Sequence, residues 1–181
     1  MTVGLAIMRL QPLHKGHQQI IDAMLAENEK AVLMIGSVGV QDENNPYSYE
    51  ERVAMIHALY HQEIKAGHLL VSGLEDIHNL PKWVDYVKSQ LPIPADRYYC
   101  GVYQNAQQFR EKGFAIREFD RDTIKVSGTE IRHKMQTGDI SWQNDVPTSI
   151  ALYLQHQKNV CFKKNPINKF FTSTKKEHRY D

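Results

Sequence analysis

Cysteine is nearly absent from this chain: Cys100 and Cys161 are the only two in 181 residues. Two thiols make no disulfide framework and fit a reducing cytoplasm. No apolar run is long enough to cross a bilayer, so no membrane association is expected. Met1 and Thr2 lead straight into a short apolar run, without a basic leader or a cleavage site, so no secretory signal is expected. Charge of one sign is also lacking. The formal net charge is +1, which removes the overall basic signature of a nucleic-acid binder. Neither an internal repeat nor a low-complexity segment occurs.

The ordinary apolar content, 41%, is enough for one domain with a sizeable core. Charge is unevenly placed. Residues 161–181 carry six Lys/Arg against two Asp/Glu, and the other 160 residues carry 16 against 19. Periodicity stops near Lys158. The chain is therefore read as a domain over 1–158 followed by a basic tail over 159–181, solvated or touching a phosphate or partner.

Within the domain, short apolar runs alternate with helical periodicity. Strands are predicted at Val3–Met8, Ala31–Ile35, His68–Val71, Arg97–Gly101 and Phe114–Glu118. Helices are predicted at His17–Asn28, Ser48–Tyr60, Pro81–Gln90 and Gln104–Lys112. Ser48 with Glu51 makes a capping-box pattern, and Ser127 with Glu130 makes a second one that opens a further helix. Gly138 suits the end of that helix, and Pro147 the first turn of a last helix reaching about Gln157. Five such alternations predict an α/β fold with a doubly wound parallel sheet. Ligands of such sheets bind beyond the carboxyl ends of the strands, where the strand order reverses.

Two segments carry chemistry. The first, Arg9-Leu10-Gln11-Pro12-Leu13-His14-Lys15-Gly16-His17, joins the first strand to the first helix. A helix start offers free N–H groups to an anion, and Gly16 lets the backbone turn tightly or approach a ligand. His14 and His17 can add ring N–H donors. Zinc binding needs further ligands, and no Cys or acidic residue stands at a suitable spacing nearby. On residue chemistry alone, phosphate donors and ordinary histidines both remain open. The second segment, Ser127-Gly128-Thr129-Glu130-Ile131-Arg132, is another helix start. Ser127 and Thr129 can donate to a phosphate, and Arg132 can add a fork of N–H groups. A helix cap with a solvated arginine is the other reading.

His14-Lys15-Gly16-His17 resembles the HxGH signature of the nucleotidyltransferase superfamily. Ser127 to Arg132 resembles its ISGTxIR-type motif, in the form of archaeal-type nicotinamide mononucleotide (NMN) adenylyltransferases. Arg9 with Gln11-Pro12, Asn45-Pro46-Tyr47-Ser48 with Glu51-Arg52, and Asp76-Ile77-His78-Asn79 with Trp83 are similar to other stretches of that family. The resemblance spans roughly residues 3–155. The chain departs from it at Met8, where the family usually has glycine, and at Cys100-Gly101-Val102-Tyr103.

The resemblance implies the Rossmann-like nucleotidyltransferase fold and the reaction ATP + NMN giving NAD + pyrophosphate. It implies that His14, His17, Arg9 and Arg132 act on the phosphates. Gln11, Lys15, Gly16, Arg52, Ser127, Gly128 and Thr129 would bind ATP. Asp76, Asn79 and Trp83 would hold NMN, the indole stacking on the nicotinamide ring. Mg2+ would arrive with ATP, with no protein metal ligand, and the chain would form a homo-oligomer, often a hexamer in that family. Other acceptors on the same fold (pantetheine phosphate, FMN, a phosphorylated alcohol) and a non-catalytic NAD- or ATP-sensing module are the alternatives.

Overall fold

The computed structural model describes residues 1–77, 82–101, 106–120 and 125–164, with side chains up to 157. Five strands form one parallel sheet: β1 (Val3–Met8), β2 (Lys30–Gly36), β3 (Leu69–Leu74), β4 (Arg97–Cys100) and β5 (Ala115–Glu118). The helices are α1 (Lys15–Glu27), α2 (Tyr49–Lys65), α3 (Trp83–Gln90), α4 (Ala106–Glu111), α5 (Gly128–Thr137) and α6 (Thr148–Lys164), with a 3-10 turn at Ile140–Asn144. The predicted alternation of strand and helix is borne out.

The strand order is β3-β2-β1-β4-β5. The chain builds outward from β1 to β3, then returns to lay β4 against the other side of β1. The order therefore reverses between β1 and β4, and a crevice opens there at the carboxyl ends. Both faces of the sheet are covered, so the central strands are apolar on both sides. Ala6, Met8, Leu33 and Ile35 pack with Ile21 and Met24 of α1 and Met55 and Ile56 of α2 on one face. Leu5, Val32, Met34 and Tyr98 pack with Val84, Val87 and Phe109 on the other. Gly4 is required by close packing. A Cβ there would stand 2.5 Å from Met24 Cγ and 2.8 Å from Asn28 Nδ2.

Three local expectations are refined. α2 continues beyond Tyr60, through non-helical φ/ψ at that residue, to Lys65. The Tyr60 hydroxyl is tied to α1 there, donating to Asp22 at 2.8 Å. α6 runs past Gln157 to Lys164, since no glycine or proline interrupts the chain before Pro166. The Ser48–Glu51 capping box forms, whereas the Ser127 side chain makes no cap bond to α5. Gly138 ends α5 in the left-handed conformation, φ 77°.

Candidate active site

The chain leaves β1 through Leu10, whose φ of 54° is left-handed, and turns into α1 with His14 as N-cap. His14 and His17 cap each other. The His17 backbone N–H donates to His14 Nδ1 at 3.3 Å, and the His14 backbone N–H donates to His17 Nδ1 at 3.4 Å. The rings stack at 3.6 Å between centroids. This histidine capping box was not visible as such in the sequence, because histidine is not a usual capping residue. It has a chemical consequence. Each Nδ1 is an acceptor, so in the neutral ring the proton sits on Nε2. Burial holds both rings neutral. It lowers the His14 pKa to about 4, against a smaller opposing pull from Asp145. Burial, with His14 alongside, keeps His17 well below the usual histidine range. The pair thus presents two Nε2–H donors near pH 7.

The helix start adds a main-chain donor. The Lys15 N–H is taken by the Asp145 carbonyl at 3.0 Å. The Gly16 N–H has no acceptor among the described residues, and Gly16 lines the cavity.

The second motif is bolted to the first across more than a hundred residues of sequence. Arg132 Nη1 donates to the Gln11 carbonyl at 2.8 Å, and Nη2 donates to Thr129 Oγ1 at 3.3 Å. Gly128 makes this approach possible: a Cβ on it would stand 2.9 Å from the same Gln11 oxygen. Burial depresses the Arg132 pKa, and the neighbouring Arg9 depresses it further. Among the described residues, neither arginine is in an ion pair. Two cations close enough to repel each other, lining one cavity and in no ion pair, favour an anion between them, although Asp42 offsets part of the repulsion at Arg132.

The result is a cavity of about 770 Å³ at the β1/β4 switch point. It is lined by Arg9, Gln11, His14, Gly16, His17, Ser127, Gly128, Thr129 and Arg132, all expected from the sequence. Met8 also lines it, while packing in the core. Lys125, Asn44 and Cys100 are lining residues that sequence reasoning did not single out as ligands. The signal for Lys125 was its place two residues before Ser127, where the chain enters the second helix start. The Cys100 thiol is nearly buried, and burial pushes its pKa up to about 11.

Four expected residues do not reach this cavity. The Lys15 side chain is exposed, and Lys15 is absent from the lining. Arg52 is wholly buried, with its guanidinium bonded to four main-chain carbonyls. Asp76 is exposed after β3. Trp83 is half-buried and packs edge-on against Phe109 at 5.6 Å. Asn79 and Val102 lie outside the described residues. Gln11 reaches the cavity wall, but its amide is already committed. It donates to the Tyr47 carbonyl at 3.0 Å and accepts from the Tyr47 N–H at 2.9 Å, clasping the loop before α2.

Known proteins resemble this chain in sequence and in fold. Residues 9–134 match the cytidylyltransferase-like family. The chain is 34% identical to nicotinamide-nucleotide adenylyltransferase of Picrophilus torridus over 145 residues, covering 79% of this chain and 84% of that one. It is 34% identical to the enzyme of that name from Thermococcus sibiricus over 162 residues, covering 87% and 85%. The fold is similar to a bifunctional NMN adenylyltransferase/ADP ribose pyrophosphatase of Francisella tularensis, solved with AMP and an Mn ion. There the TM-score is 0.64 at 21% identity, and the match covers 94% of this chain but only 57% of that longer protein. The chain belongs to the archaeal-type nicotinamide-nucleotide adenylyltransferases of the cytidylyltransferase-like family.

Proposed function

We propose that this protein transfers the adenylyl group of ATP to NMN, giving NAD and pyrophosphate. The observation that carries the reading is the convergence of His14, His17, Arg9 and Arg132 on one cavity, none of them in an ion pair among the described residues. An oxygen of the NMN phosphate attacks the α-phosphorus of ATP, and a new P–O bond forms. The bond from that phosphorus to the β-phosphate oxygen breaks, and pyrophosphate leaves with the electron pair. The attacking phosphate is already anionic near pH 7, so no side chain has to remove a proton.

Catalysis then consists of alignment and of donors aimed at developing charge. The two Nε2–H groups, the Gly16 N–H and the α5 start suit that task. Because the imidazoles are neutral donors, their hydrogen bonds do not vanish by deprotonation as pH rises toward 8. Arg9 and Arg132 supply the positive charge that the rings do not.

Mg2+ belongs to the same reading. Glu130 is the one carboxylate among the described cavity-lining residues. Such a donor set fits a cation carried by the phosphate oxygens and water rather than by a protein cage. When bound, it would neutralise charge on the phosphates of ATP. For the nicotinamide end we retain Asp76, Asn79 and Trp83 as ligands. Trp83 is the first residue of α3, the helix that follows β3 in the chain, and its indole offers a flat face to a nicotinamide ring. A homo-oligomer in the cytoplasm completes the proposal.

The test is pyrophosphate release from purified protein with Mg-ATP and a panel of acceptors: NMN, nicotinic acid mononucleotide, pantetheine phosphate, FMN and glycerol phosphate. Release with NMN, reduced about 10²–10³-fold in His17→Ala, is the expected result. Release only with another acceptor would keep the chemistry and remove the assignment of Trp83. Nucleotide binding without any release would overturn the enzyme reading.

A further inference from the structure

Arg52 is the largest of the fully buried side chains. A guanidinium has five N–H groups, and losing water from them is costly unless they find acceptors. Each of its three nitrogens finds an acceptor here, through four bonds in all, every one to a main-chain carbonyl. Nε donates to Ser48 O at 3.2 Å, Nη1 to Gly36 O at 2.7 Å and to Arg9 O at 3.0 Å, and Nη2 to Ser37 O at 3.2 Å. No carboxylate pairs with it among the described residues.

The gripped carbonyls are not a random set. Gly36 is the last residue of β2, and Arg9 is the first residue beyond β1. The residue after each one is left-handed: Leu10 and Ser37 both have φ 54°. These are the only non-glycine residues with positive φ among the described ones. A side chain in that region is strained and persists only where the surroundings hold it. A carbonyl fixes the peptide plane that leads into the following residue. By holding Arg9 O and Gly36 O, one guanidinium sets both planes. The fourth bond ties them to Ser48, the N-cap of α2.

We propose that Arg52 is a positioning residue for adenylyl transfer. It holds the β1 and β2 exits in their left-handed turns and so places Arg9 and the loop that leads to His14. It touches no substrate. Its charge is used up on the main chain, and the phosphates are left to Arg9 and Arg132. The inference rests on the adenylyltransferase reading for its kinetic test alone, because the clamp itself is read by stability.

The experiment compares Arg52→Lys, Arg9→Ala and the double variant in steady-state NAD synthesis. Each is also made with Ser37→Gly and unfolded in urea. Arg52→Lys keeps the charge but cannot span four carbonyls. It is expected to lower kcat by up to about 10²-fold through misalignment, with the KM values for ATP and NMN changing far less. In the double variant the loss is expected to be smaller than the product of the single losses, because Arg52 acts through Arg9. Glycine adopts positive φ freely. Ser37→Gly should therefore restore part of the stability that Arg52→Lys removes, a suppression that a phosphate ligand would not show. Should Arg52→Lys alone fail to fold, the same kinetic comparison is made in the Ser37→Gly background. A rise in either KM with kcat preserved, multiplicative losses, or no suppression by Ser37→Gly overturns the proposal. A wild-type protein with no NAD synthesis overturns the functional reading, and the suppression result still decides whether the clamp exists.

Discussion

Gly128→Ala tests the assembly of the site most directly. Alanine is the better residue inside a helix, so local propensity predicts a neutral or stabilising change. The tertiary contact predicts the reverse. The new Cβ would stand 2.9 Å from the Gln11 carbonyl oxygen and 3.5 Å from Arg132 Nη1. The first distance is roughly half an ångström short of ordinary contact, and main chain yields less readily than a flexible side-chain tip. The start of α5 must retreat from the loop after β1. The same oxygen accepts the 2.8 Å bond from Arg132, a charge-assisted bond worth about 1.5–3 kcal/mol. Overpacking of this kind costs about 1–3 kcal/mol by itself. A shift of this size at the reacting groups lowers turnover by up to about 10²-fold. The assay is NAD synthesis at saturating NMN across a range of Mg-ATP, with urea unfolding of the same samples. The expected result is a lower kcat, a higher KM for ATP and a lower unfolding midpoint. Wild-type kinetics and an unchanged midpoint would refute the idea that the two phosphate-ready helix starts are joined through this contact.

Other expectations follow from the same geometry. Gly4→Ala drives a methyl into Met24, Asn28 and Tyr99 and should cost about 1–3 kcal/mol in urea unfolding; a midpoint equal to wild type would count against the packing of α1 on β1. Gln11→Leu strips the Tyr47 N–H and C=O of their partners, with about 1–3 kcal/mol lost for each group left buried and unpaired; differential scanning calorimetry showing no loss would mean that the clasp contributes nothing. The His14 pKa is lowered in the folded protein to about 4, so the unfolded chain takes up its proton first. The ring's contribution, about 3 kcal/mol, is complete above pH 6.5 and declines as pH falls toward 4. Across pH 4 to 8 the urea midpoint of wild type should fall relative to that of His14→Gln as pH drops from 6.5 toward 4, and parallel curves would contradict the shift.

The alternation of strands and helices was legible because both of its signals are local. Apolar runs such as Ala31–Ile35 are buried on both faces, and a capping box such as Ser48–Glu51 needs only four consecutive residues. The helix starts at His14–His17 and Ser127–Arg132 were legible for the same reason. Three features were not. The histidine pair forms a capping box of its own, which depends on ring orientation and not on residue type. The edge-on contact of Trp83 with Phe109, 26 positions away, is a tertiary contact with no local signal.

Arg52 is the sharpest case. On sequence it is a cation one turn into a helix beside a phosphate site. Whether it meets phosphate or carbonyl depends on where β1 and β2 end in space, and three of its four acceptors lie 15 to 43 positions away. The sequence by itself determined the fold class, the His14/His17 and Ser127–Arg132 segments and the likeness to adenylyltransferases, since each of these is written in short-range pattern. Only the tertiary structure decided which cations remain free to meet a phosphate. A donor's role is set by the acceptors within about 3 Å of it, and those acceptors come from distant parts of the chain.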